Sequence, residues 1–192
     1  MSSDTDIANL ALARIGAARI NSMDDATVPA QQCKLFYAQD RDALLRGHSW
    51  VFAMTRAQLS EDADTPAFGY GHAYILPSDC LRVVRLYHGH RQYQVEGKRI
   101  LTDDTECRII YIRRIEDPAQ FDALFVRALA LELALSIVSS LAQDKGLYQL
   151  IQADLNTAIA AARLADVIES ETEEPSLSWA QARFININGR NR

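Results

Sequence analysis

The chain has 192 residues, of which 48% are hydrophobic and 23% charged, and its net charge is −5. That is the balance of an ordinary folded protein with one sizeable core, or one core and a smaller satellite. The acidic excess argues against a general nucleic-acid clamp, which is ordinarily basic.

Asp4 and Thr5 are N-cap types ahead of Ile7, Leu10, Ala11 and Ile15, which recur at helical spacing, and Gly16 is a stop signal. A loop through "NSMDDATVP" follows. Pro29, whose ring fits a first helical turn, then opens a second helix that ends at Gly47. Cys33, Phe36, Tyr37, Ala43 and Leu44 form its apolar stripe, with Asp40, Arg41, Asp42 and Arg46 expected mostly on the wet side. "HSWVFAMTRAQL" carries strand-favouring aromatics and Val, and "SEDADTPAFGYGH" is a polar loop. From His72 to Ile115 the pattern is strand-like: "AYILP", "CLRVVRLY", "YQVEGKRIL" and "CRIIYIRRI" are separated by Pro77, Gly89, Gly97 and Asp103-Asp104. Gly89 within "YHGHRQY" reads as a hairpin tip, and the alternation around it predicts a hairpin with one wet face.

Asp117-Pro118 is a start signal for a third helix running to about Gln143, where "DKG" turns the chain. A fourth helix is predicted from about Leu147 to Ile168, with apolar positions that include Leu150, Leu155, Ile159 and Leu164. Its Ala-rich segment favours close helix packing. The acidic "ESETEEP" closes it as a linker. The fold class expected is therefore mainly α with a β insertion (α+β). It comprises an antiparallel helical bundle over 1–49 and 116–170, a small β satellite region over 50–115, and a linker with an extended C-terminal arm over 171–192.

"ALFVRALALELALSIVSSLA" invites a membrane reading. Arg127 and Glu132 interrupt it, so a helix buried in protein is expected and no membrane partner. The N-terminus lacks a basic-then-apolar signal pattern. Cys33, Cys80 and Cys107 are scattered and odd in number, which suggests a reducing compartment and no metal spacing. Catalytic signals are thin. The chain has no phosphate-binding Gly loop ending in Lys-Ser or Lys-Thr, no Gly-x-Ser-x-Gly elbow and no His-Glu-x-x-His, so no cofactor or metal is expected. His88 and His90 can share one side of a strand and hold a metal, yet they lack a third ligand and read as turn histidines. Cys80 and Cys107 can be read as a redox pair or as buried strand cysteines, the second being preferred. The plentiful carboxylates leave a glycoside-hydrolase pair open, although solvated helix faces explain them as well. Glu132 lies within an apolar helix and should have a partner, such as Arg127, Arg163 or a group on another subunit.

Several stretches, in order along the chain, resemble phage head-to-tail adaptor proteins, which include tail tubular protein A of short-tailed phages. "FYAQDRDALLRGHSWVFA" (Phe36 to Ala53) is similar to the family's helix that leads into a Trp followed by Phe-Ala. "YILPSDCLRVVRLY", "FDALFVRALALELA" and "ANLALARIGAARINSMDD" resemble its central run, the start of its third helix and its opening. The resemblance covers nearly the whole chain. It implies a structural virion protein, not an enzyme, sited in the neck of the particle and in the host cytoplasm during assembly. It also implies a ring of twelve copies below the portal protein. Such a ring extends the channel for DNA, which passes without sequence-specific binding, and offers a platform to a tail nozzle or tail tubular protein B-like component. Two alternatives stand beside this expectation: a phage tail-associated cell-wall hydrolase, and an adaptor of a long-tailed phage that meets a stopper protein. A monomeric regulator is more distant, since no helix-turn-helix with a basic recognition face is evident.

The tail "SLSWAQARFININGRNR" fits a portal-binding arm, with Leu177, Trp179, Arg183, Phe184, Ile185, Ile187, Arg190 and Arg192 as its contact residues. The 18 residues after Glu174 reach up to about 60 Å when extended. The partial two-residue alternation suits an added strand on another chain's sheet, the alternative being a tail that folds back on its own bundle or is partly disordered. Each buried apolar side chain contributes roughly 1.5–3 kcal/mol. Ordering each residue costs about 1–2 kcal/mol, so backbone pairing, arginine contacts and ring multivalency are needed too.

Overall fold

The computed structural model describes residues 3–87 and 92–170. Among these residues four α-helices and six strands follow one another in the order α1 and α2, β1 to β6, then α3 and α4.

α1 (Asp4–Arg14) is capped one residue earlier than expected. The Ser3 hydroxyl accepts from the Asp6 N–H while the Asp6 carboxylate accepts from the Ser3 N–H, a reciprocal capping box. Its buried residues are Ile7, Ala8, Ala11 and Leu12, and Gly16 at φ +69° reverses the chain where a side chain would be strained. The loop after it is held by the Asn9 amide, which donates to the Ile20 carbonyl (3.0 Å) and accepts from the Ile20 N–H (2.9 Å).

α2 (Val28–Gly47) carries Pro29 in its first turn, as expected. α3 (Ala123–Leu141) is the central helix. Phe125, Leu129, Leu133 and Ile137 are fully buried along it, and α1, α2 and α4 all pack on it. By length and composition alone it is apolar enough to cross a membrane, but in this fold it is the core helix of the bundle. Asp117-Pro118 does not start it. Asp117 caps a single 3-10 turn over Pro118–Gln120, and Asp122 caps α3 by accepting from the Leu124 and Phe125 N–H groups. α4 (Lys145–Ser170) returns along α3 and buries Ile151, Leu155, Ala158 and Ala162, a 4-3-4 spacing that gives one face.

Between the helical halves lie β1 (Met54–Gln58), β2 (His72–Ile75), β3 (Cys80–Leu86), β4 (Tyr93–Glu96), β5 (Arg99–Thr102) and β6 (Arg108–Arg113). They make two antiparallel sheets, ordered β1-β6-β3 and β2-β5-β4. The first sheet is the middle layer. Ile112 of β6 joins the bundle core, while Ile109 and Tyr111, on the opposite face, join a second core with Leu59, Tyr74, Leu86, Ile100 and Cys107. β3 changes phase along its length: Leu81 and Val84 face the bundle, whereas Cys80, Val83 and Leu86 face the second core. Register shifts at Cys80/Arg82 and Val83/Arg85 account for this.

The expected hairpin around Gly89 is corrected by the pairing. β3 pairs with β6 and β4 with β5, so the strands flanking that position belong to different sheets. Gly89, His88 and His90 themselves lie outside the described residues. The true tight hairpin joins β4 to β5 at Gly97-Lys98, with Gly97 at φ +59°.

Candidate interaction surfaces

An aromatic seam joins the bundle to the insertion. The Trp50 Nε1–H donates to the Leu44 carbonyl at 2.9 Å, so the side chain is satisfied although only 1% exposed. Its ring meets Phe125 edge-on at 5.2 Å, and Phe52 meets Phe125 at the same distance. The "SWVFA" run is thus the seam on which the end of α2, the start of β1 and α3 converge. Polar contacts reinforce it. An Arg46 guanidinium N–H donates to the Leu81 carbonyl, Arg82 donates to the Ser49 hydroxyl at 2.9 Å, and Asp42 pairs with both Arg41 (2.9 Å) and Arg114 (2.7 Å). At the far end of α4, Asp166 Oδ2 lies 3.1 Å from His48 Nε2, and Asp166 Oδ1 accepts from the Val51 N–H at 3.4 Å. Burial pushes the His48 imidazole pKa down, with the Asp166 charge opposing that.

Two residues expected on the wet side of α2 are buried: Asp40 and Arg41 are each 7% exposed. Arg41 is paired with Asp42, and lies 3.8 Å from Glu116. Asp40 is not neutralised in this way. Its Oδ2 makes no hydrogen bond, and burial pushes its pKa up to about 6, with the nearby Glu132 charge adding to the rise and a Ser136 hydrogen bond opposing it. Glu132 is itself raised by burial. Neither expected partner, Arg127 nor Arg163, forms an ion pair with it among the described residues, and both are exposed. Among the described residues, the α2–α3 interface therefore holds two neighbouring carboxyl groups and no cation paired with either.

The outer face of α4 is apolar. Leu150, Leu164 and Ile168 are 60%, 62% and 66% exposed, and exposed Ala153, Thr157 and Ala161 lie between them. All six fall within about 60° of one line down the helix at 100° per residue. No described element covers this stripe.

A basic cleft opens on the bundle side of the middle sheet. Arg56 of β1 and Arg85 of β3 both stand opposite Ile110 of β6, so two guanidinium groups flank one half-apolar strand. A hollow of about 670 Å³ lies there, lined by Val51, Met54, Thr55, Arg56, Val84, Arg85 and Ile110, and a neighbouring one of about 310 Å³ reaches Tyr87 and Arg108. Among the described residues neither Arg56 nor Arg85 has an ion pair, while Arg108 is paired with Glu106 at 2.8 Å.

Cys33 and Cys107 are buried and Cys80 half-buried, all three as free thiols. Burial pushes the Cys33 and Cys107 thiols up to about 11 and raises Cys80 as well, so the thiolate that redox chemistry needs is disfavoured at all three. No group of three or more His, Cys, Asp or Glu among the described residues is placed to hold a metal ion. The arm residues Leu177, Trp179, Arg183, Phe184, Ile185, Ile187, Arg190 and Arg192 lie outside the described residues. The basic cleft and the α4 stripe were missed in the sequence. The stripe had a signal, the heptad spacing of Leu150, Thr157 and Leu164, whereas the cleft had none, because its arginines are brought together only by sheet register.

Comparison with protein-family models and with curated proteins returns no match for this chain.

Proposed function

We propose that the chain is a structural head-to-tail adaptor of a phage-type particle. Copies of it form a ring, of twelve by the family resemblance, that sits below a portal protein, continues the DNA channel and receives the next tail component. The C-terminal arm, through Trp179, Phe184, Ile185, Ile187 and its three arginines, is the portal-binding element of this proposal.

The observation that carries the reading is the uncovered stripe on α4. A 26-residue helix that presents Leu150, Leu164 and Ile168 outward around small residues is built to be covered by another surface. Covering each of these three side chains contributes about 1–2 kcal/mol, and in a closed ring every copy gains it. Small residues between them allow a neighbour's helix to approach closely. The sequence resemblance, which runs from the opening helix through Phe36–Ala53 to the start of α3, supplies the identity of the assembly.

Electron microscopy of the purified chain mixed with its portal tests this, a twelve-fold collar under the portal being the expected result. Leu164→Glu with Ile168→Glu should leave the isolated chain folded, since both sites are exposed, and should abolish the collar. A collar of unchanged occupancy would remove the stripe from the reading, and the absence of any collar with the unaltered chain would remove the adaptor.

A further inference from the structure

The basic cleft on the middle sheet poses a charge problem. The chain is acidic overall, with a net charge of −5, yet Arg56 and Arg85 face each other across Ile110 with no carboxylate paired to either among the described residues. Beside them, Arg82 donates to the Ser49 hydroxyl but leaves its buried Nε without a partner. An apolar floor rimmed by guanidinium groups is a receptor for carboxylates carried on an extended strand of chain, because each planar fork binds one carboxylate bidentately.

The end of α4 stands beside this cleft. Asp166 is fixed there by the Val51 N–H and by His48, and Val51 is itself part of the lining. Ser170 lies four residues on, about 6 Å along the helix axis. The sequence then continues with Glu171, Thr172, Glu173 and Glu174. Extended, those four residues span about 14 Å. Charge and point of departure agree.

We propose that the acidic segment 171–174 docks in the arginine cleft of its own chain, with its carboxylates on Arg56 and Arg85. Docking there sets the direction in which the remaining residues leave the body, and the contact is ionic and partly exposed, so added salt releases it. The proposal does not depend on the adaptor reading, because it concerns a contact within one chain.

Arg56→Lys and Arg85→Lys, each in the full chain, convert the contact into one that a zero-length carbodiimide can trap. The expected product is an amide between the introduced amine and Glu171, Glu173 or Glu174, found by peptide mapping in material that runs as a monomer on a denaturing gel. It should vanish at about 0.5 M NaCl. A link that joins two chains, or no link to that segment, overturns the proposal. As a second measurement, Arg56→Gln with Arg85→Gln should make a Glu-specific protease cut within 171–174 about five-fold faster, the factor expected for two partly exposed ion pairs. Equal cutting rates, with unchanged circular dichroism, overturn it as well.

Discussion

Asp40→Asn should stabilise this protein progressively above pH 3.8, and most at neutral and alkaline pH. The carboxyl is 7% exposed, one of its oxygens makes no hydrogen bond, and its pKa is pushed from 3.8 up to about 6. A folded-state value above the unfolded one means that the native chain holds the proton more tightly. Below pH 3.8 both states are protonated and the group is neutral in the balance. Between 3.8 and 6 the unfolded chain ionises first, so stability falls as pH rises, and above 6 the loss is complete and constant. A gap of about two pH units at about 1.4 kcal/mol each makes that loss about 3 kcal/mol. Between pH 5 and pH 8 the wild-type chain should lose about 1.4 kcal/mol that the Asn variant keeps. Urea unfolding followed by tryptophan fluorescence, with Trp50 buried in the core as reporter, measures this at both pH values. Parallel pH profiles for the two chains would refute the assignment, and so would a variant less stable than wild type at pH 8, which would mean that the carboxylate has a cationic partner.

Trp50→Ala removes the ring that joins α2, the insertion and α3, and should cost about 3–5 kcal/mol in urea or thermal unfolding. Gly97→Val places a branched side chain at φ +59° in the β4–β5 turn and should cost about 1–3 kcal/mol, read as a lowered Tm. Ser3→Ala breaks the capping box of α1 and should cost about 1 kcal/mol in the same assay. Cys33 and Cys107, with thiols held near 11 by burial, should react with a disulfide reagent at pH 8 only at the rate of unfolding, whereas Cys80 reacts first; immediate reaction of all three would contradict their burial.

What could be seen in advance follows the range of the interactions. α1, α2 and α4 are written in local periodicity, and the structure differs from the sequence reading at their ends by only a few residues. Their caps depend on one hydroxyl or carboxylate among several candidates, as Ser3 in place of Asp4 and Asp122 in place of Asp117 illustrate. The sheets were harder, because a strand's partner is chosen by surfaces far away in the sequence. The run through Gly89 alternates like a hairpin, yet its two halves join different sheets, and β3 is shared between two cores by means of its bulges.

Asp40 is a different kind of miss, since the information was local. Cys33, Tyr37, Asp40 and Leu44 are spaced 4-3-4, so the apolar stripe of α2 runs straight through the carboxylate, and its chemistry outweighed its position in the reading. Geometry decides such cases. A helix cannot turn one residue of a buried face to solvent without turning its neighbours, so packing of Tyr37 and Leu44 carries Asp40 inward, and the cost appears as a raised pKa in place of an exposed charge. The same logic orders the two outer surfaces. The arginines of the middle sheet can face one another only because Ile110, on the same face of β6 as Ile112, is held in register by the core, so a cleft for carboxylates follows from how the bundle packs the strand beneath it.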